Sequence, residues 1–160
     1  MDDTEFPKEL IEETGEAKPE KIFESLYQRL LNMAVNEKIR LATLGNKEAR
    51  NLLIKDPNRL VVHSVLSSPK LTESEVEAIA RMTNVSADVL RAVGTNRVWL
   101  KNYAVLSALT RNAKTPIAVS MSLVNRLSER DIKFLSTDRN IPEPVRLAAR
   151  KIYSHSVARR

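Results

Sequence analysis

Apolar residues along the chain recur mostly three and four positions apart, the spacing of one face of an α-helix, and rarely alternate as in a strand. From Pro19 onward, Phe23, Leu26, Tyr27, Leu30, Leu31 and Ala34 predict a first long helix. A second, over 37–44, stops at Gly45-Asn46, a helix-ending pair. A third runs over 47–55, and Asp56-Pro57 reads as cap and first turn of a fourth, to about Ser67. Thr72-Glu73-Ser74-Glu75 is a capping box ahead of Val76, Ile79 and Ala80. Ser86 precedes a short helix holding Val89, Leu90 and Val93 that ends near Gly94, and a longer helix is expected over 98–110. Thr115-Pro116 caps another, with Ile117, Met121, Val124 and Leu127 on one face. Ser128-Glu129-Arg130-Asp131 opens a helix with Ile132 and Leu135, and Pro142 starts a last one, to about Tyr153. The pattern predicts about ten helices with short connections, an all-α chain.

One motif recurs. Val145-Arg146-Leu147-Ala148 is matched well by Ile39-Arg40-Leu41-Ala42. Val61-Val62-His63-Ser64 matches in pattern, and Lys101-Asn102-Tyr103-Ala104 mainly at its small residue. A shift of 44 also superposes Lys70 on Lys114, Ile79 on Leu123, Ala80 on Val124 and Asn96 on Asn140; a shift of 43 places Val89 on Ile132. A fixed period of this size is the signature of stacked helical repeats, in which each unit buries its apolar face against the next. Small residues at Ala104 and Ala148 are expected to be buried where units stack.

The stretches LLIKDPNRLVVHSVL and LSTDRNIPEPVRLAARKI resemble the HEAT-repeat pattern, and the three-helix period resembles armadillo repeats. The resemblance spans roughly residues 35–155 and implies a short right-handed superhelical solenoid. It places the family's repeat Asp at Asp56 and Asp138 and its Arg at Arg40 and Arg146; Gly94 and Asn102 depart from the pattern. Asp138 and Arg146 are then expected to pair across the turn, with Arg146 as an anion ligand the other reading.

Charge divides the chain. Residues 1–20 hold eight acids against Lys8 and Lys18, although the whole carries +6. Residues 1–18 are too acidic and too poor in apolar groups to fold alone. The expected organisation is therefore an acidic, unfolded segment over 1–18, a helical-repeat domain over 19–155 and a basic tail over 156–160. Phe6, Leu10 and Ile11 share one face of a helical turn, as a linear motif or a self-docking segment would.

Between Glu77 and Glu129 the only acid is Asp88, against Arg81, Arg91, Arg97, Lys101, Arg111, Lys114 and Arg126. Beyond Glu143 there are bases and no acid. Such a one-signed field draws acidic protein segments, nucleic acid or anionic lipid. Trp99 and Tyr103 lie one turn apart beside Arg97 and Lys101, as an aromatic and cationic contact face would; repeat packing is the alternative. Arg91, Arg97, Trp99, Lys101 and Arg139 are the candidate partner-binding set.

The chain has no Cys, which excludes disulfides, thiolate metal sites and a Cys nucleophile. His63, between Val62 and Ser64, lacks ligand-spaced partners and reads as a core or interhelical residue. No Gly-rich phosphate loop, paired carboxylates or Ser-His-Asp arrangement stands out, so no catalytic, cofactor or metal site is assigned. No apolar run spans a bilayer. The expectation is a cytoplasmic adaptor that binds an acidic or amphipathic protein segment on a basic face. The alternative is a nucleic-acid binder using the same groove.

Overall fold

The computed structural model describes residues 6–13, 15 and 20–159. Among them are eleven α-helices, two 3-10 turns and no strand, so the chain is all-α. It divides into two compact units, Met1–Glu75 and Val76–Arg160.

The first unit holds α1 (Lys8–Ile11), α2 (Glu20–Leu31), α3 (Val35–Leu44), α4 (Lys47–Leu53) and α5 (Arg59–Leu66), and the chain then enters α6 (Glu73–Arg81). α3 packs on α4 and α5 around Leu41, Ala49, Leu53, Ile54, Val61 and Val65, none of which reaches solvent. α2 buries only Leu26 and Leu30, leaving Phe23, Tyr27 and Leu31 exposed. The segment read as an unfolded acidic tail contains α1. Phe6 is 6 % exposed and Leu10 is fully buried, and α1 packs on α3 and α4. The remainder of 1–18 lies outside the described residues.

Asn46 accounts for that docking. Its side-chain NH2 donates to the carbonyls of Glu9 and Glu12, at 2.8 and 2.7 Å, and its backbone N–H donates to Leu10 O at 2.7 Å. Its Oδ1 accepts the Ala49 N–H at the start of α4. A residue read as punctuation is therefore a buried bridge that satisfies orphan carbonyls at a helix end. Two apolar anchors and this bridge hold the segment, and net charge alone shows neither. Phe6 and Leu10 are core residues here rather than a free motif, and Ile11 is half-buried.

The second unit continues α6 and adds α7 (Ala87–Thr95), a 3-10 turn (Trp99–Lys101), α8 (Tyr103–Arg111), α9 (Ile117–Leu123), a second 3-10 turn (Val124–Arg126), α10 (Glu129–Thr137) and α11 (Glu143–Ala158). α10 and α11 pack along one another, α11 also rests on α9, and α9 contacts α7 and α8. Val76, Val89, Leu90, Val93, Val105, Leu109, Leu135, Val145 and Ala149 are fully buried. Asn112 repeats the role of Asn46, donating to Ala80 O and Met82 O while accepting the Lys114 N–H.

Four inter-helix turns share one construction. The side-chain Oδ1 of Asp56, Asn96, Asn112 and Asp138 accepts the N–H two residues on, from Asn58, Val98, Lys114 and Asn140, at 2.8, 2.9, 3.0 and 2.9 Å. Each ends one helix and redirects the chain into the next, an Asx turn. They close α4 ahead of α5, α7 ahead of α8, α8 ahead of α9, and α10 ahead of α11.

Several positions differ from the sequence reading. Ala104 and Ala148 are half-buried, and the buried positions lie one residue on, at Val105 and Ala149. In α11 the core side is set by Val145 and Ala149, four apart, which moves Ala148 to its edge. Ile117 and Met121 are exposed, because α9 turns Val119 and Leu123 inward. His63 is exposed for the same reason, since Val61, Val62 and Val65 occupy the core side of α5. The helix expected over 98–110 breaks at Asn102, whose side chain caps α8 by accepting the Ala104 N–H. Gly94 breaks the repeat pattern because α9 is close: a Cβ there would lie 2.3 Å from Val119 Cγ1.

Candidate functional site

α10 ends at Thr137, and the Asp138 turn carries Arg139 out of it. Ile141, 2 % exposed, then anchors the chain, and Pro142 leads into α11. On α11 the residues after the core pair Val145 and Ala149 are Arg146 and Arg150. Being four apart, they lie side by side, one step around the helix from the buried stripe. Thr137, Arg139, Arg146 and Arg150 line an open pocket of about 460 Å³.

Among the described residues no carboxylate lines this pocket. The side chains of Arg139 and Arg146 have no hydrogen-bond or ion-pair partner among the described residues, while Arg150 donates weakly to Ser136 O at 3.4 Å. The expected pairing of Asp138 with Arg146 does not form; Asp138 is committed to its own turn. The Thr137 hydroxyl donates to Phe134 O, so this residue lines the pocket with its donor already used. Guanidinium groups stay charged at any physiological pH. Three of them around one opening therefore make a concentrated positive site, whereas the pocket beside α1 and α2 mixes Glu9 with Lys21 and Arg29.

The other cations contrast with these. Arg81 pairs with Glu77, Arg111 with Asp131, and Lys38 with Asp56 at 2.8 Å. Arg40 lies 5.9 Å over the Phe6 ring. From the sequence-predicted set, Arg91 is taken up by Asp88 at 2.6 Å. Arg97 and Lys101 are exposed and have no partner among the described residues. Trp99 is half-buried in its 3-10 turn. Arg97 follows Thr95-Asn96 as Arg139 follows Thr137-Asp138, so both leave equivalent Asx turns. Arg150 and Thr137 were missed by sequence reading. The i, i+4 spacing of Arg146 and Arg150 in an acid-free stretch was the available signal.

Tyr103 belongs to a separate network. Its hydroxyl donates to the Asp131 carboxylate and accepts the Ser128 N–H at 2.8 Å. Arg111 also reaches Asp131 and lies 4.4 Å over the Phe134 ring. Burial works against the Asp131 charge, but hydrogen bonds from Tyr103, Arg111 and Ser128 outweigh it and hold the carboxyl below its ordinary value. This network joins α8 to the start of α10 and satisfies the Tyr103 hydroxyl, while the side chain as a whole stays 44 % exposed.

Among the described residues no helix is long and apolar enough to cross a membrane. No protein-family model matches the chain, and neither a curated protein nor a solved structure matches it.

Proposed function

We propose that the helix pairs are HEAT- or armadillo-like repeats, and that the chain is a non-enzymatic adaptor binding an acidic, amphipathic segment of another protein. The observation that carries this is the surface of the second unit. Arg97, Lys101, Arg139 and Arg146 have no carboxylate partner there among the described residues. Beside them stand exposed apolar side chains, Val98 at 64 % and Leu147 at 48 %. Cations without partners attract acids, and apolar residues at the same place supply the desolvated contact that fixes a peptide. The recurring Asx turns support the repeat reading, since the same device ends α4, α7, α8 and α10.

Two probes test it by fluorescence anisotropy: a 16-residue peptide with Leu at helical spacing and Glu elsewhere, and a 20-base-pair duplex. The full chain is expected to bind the peptide, and R97E/K101E/R139E to bind it at least about tenfold more weakly with a shallower salt dependence. Tighter binding of the duplex, with the steep salt slope of phosphate contacts, overturns the reading. So does peptide binding by the triple variant with wild-type affinity.

A further inference from the structure

We infer that the pocket of Thr137, Arg139, Arg146 and Arg150 receives a phosphate monoester, the phosphorylated side chain of a serine or threonine on the partner's segment. This rests on the adaptor reading above.

The charge count points to a dianion. A carboxylate is satisfied by one guanidinium fork. Here Arg139, Arg146 and Arg150 line one opening, with no acid in its lining among the described residues. A phosphate monoester carries nearly two negative charges near neutral pH and three terminal oxygens, so it can accept from more than one fork at once. The guanidinium groups of Arg139 and Arg146 have every N–H uncommitted among the described residues, and that of Arg150 gives up only one weak bond.

The size fits as well. At about 460 Å³ the pocket is larger than a phosphate group and leaves room for the residue that bears it. Leu147 follows Arg146, is 48 % exposed, and offers apolar contact to residues beside the phosphorylated one.

The cluster is local, which favours a single phosphate over a nucleic-acid backbone. In the helix pair α7–α8, counting from the Asx turn, the places of Arg146 and Arg150 are held by Ala104 and Ala108. In α4–α5 they are held by Ser64 and Ser68. A track of phosphates needs cations in successive repeats; here the arginine pair occurs in the last one.

The test has two arms on the full chain. In the first, inorganic phosphate replaces chloride at constant ionic strength while the arginine Nε–Hε NMR signals are followed. Saturating shifts at Arg139, Arg146 and Arg150, with Arg97 and Arg159 moving far less, are expected. Uniform, non-saturating shifts across all arginines overturn the site. In the second, a pool of acidic heptapeptides bearing one phosphoserine is compared with the same pool unphosphorylated. The phosphorylated pool is expected to bind at least about tenfold more tightly, and R146Q to abolish that advantage. R146K keeps the charge but not the fork and is expected to lose most of it. Circular dichroism and melting temperature serve as folding controls, and R139Q as a second variant should R146Q not fold. Equal binding of the two pools overturns the phosphate inference; if R97E/K101E abolishes that binding, the adaptor reading survives it. Displacement of the phosphopeptide by less duplex DNA than free phosphopeptide overturns the inference in favour of nucleic acid. Binding of neither pool and no response to phosphate overturns both.

Discussion

Replacing Arg50 by Ala is expected to destabilise the protein by about 3–5 kcal/mol, a drop in Tm on the order of 10 °C. Arg50 is 3 % exposed and Glu75 is 6 % exposed. The guanidinium donates through Nε to Oε1 at 2.8 Å and through Nη2 to Oε2 at 3.0 Å, a two-pronged pair, and through Nη1 to Gly45 O. Thr72 adds its N–H and hydroxyl to Oε2. Removing Arg50 leaves a buried carboxylate with only the Thr72 donors. The cost comes from that orphaned charge, so R50M/E75L is expected to recover most of it.

The pH dependence gives the sign of the effect. Burial works against the Glu75 charge, but the donors from Arg50 and Thr72 outweigh it and hold the carboxyl below its ordinary value. A depressed carboxyl contributes stability that is complete above its unfolded pKa and is lost as pH falls through the folded one. Without Arg50 the lowering it supplies is lost while burial remains, so the carboxyl rises relative to the wild type and the variant loses less stability in acid. The difference between wild type and R50A should therefore narrow from pH 7 to about pH 4 in chemical denaturation. A difference below about 1 kcal/mol that does not change with pH would contradict this account.

Ala149→Arg is expected to cost roughly 3 kcal/mol or more, and Ala148→Arg under about 1 kcal/mol. Ala149 is fully buried on the side of α11 that rests on α9 and α10, where a guanidinium has neither room nor a partner. Ala148 is half-buried, and a long side chain there can carry its charge to water. Thermal unfolding of the two variants checks the rotation of α11. Equal losses, or a larger loss at 148, would put the sequence-derived register back in place.

These two sites show where the sequence was legible. The caps were, because an N-cap acts within three residues: Ser86, Ser128 and the Thr72–Glu75 box all accept or donate as their spacing implies. The Asx turns at Asp56 and Asp138 were visible as punctuation for the same reason. What periodicity could not supply is rotation by one position. Leu147, Ala148 and Ala149 are all acceptable core residues, and only packing against α9 and α10 selects Ala149. Distance along the chain hid the rest. Arg50 and Glu75 are 25 residues apart, and Asn46 meets Glu9 from 37 residues away. Around Phe6 and Leu10 charge dominates composition, while two buried side chains and the Asn46 bridge place α1 against α3 and α4.

The candidate site was legible as charge and not as geometry. The acid-free run beyond Glu143 was plain in the sequence, and Arg97 and Arg139 were singled out. That Arg91 would be neutralised by Asp88, three residues before it, was available from helical spacing. That the Asp138 turn would bring Arg139 to Arg146 and Arg150 depended on where α10 ends and how α11 packs against it.

The adaptor reading is tested most directly by peptide display. A library of random 16-residue peptides is selected on the immobilised full chain and counter-selected on R97E/K101E/R139E. The account predicts enrichment of sequences rich in Asp and Glu, with apolar residues at helical spacing, that are lost from the triple variant. Enriched sequences with no excess of acids, or acidic ones held equally well by the triple variant, would contradict it.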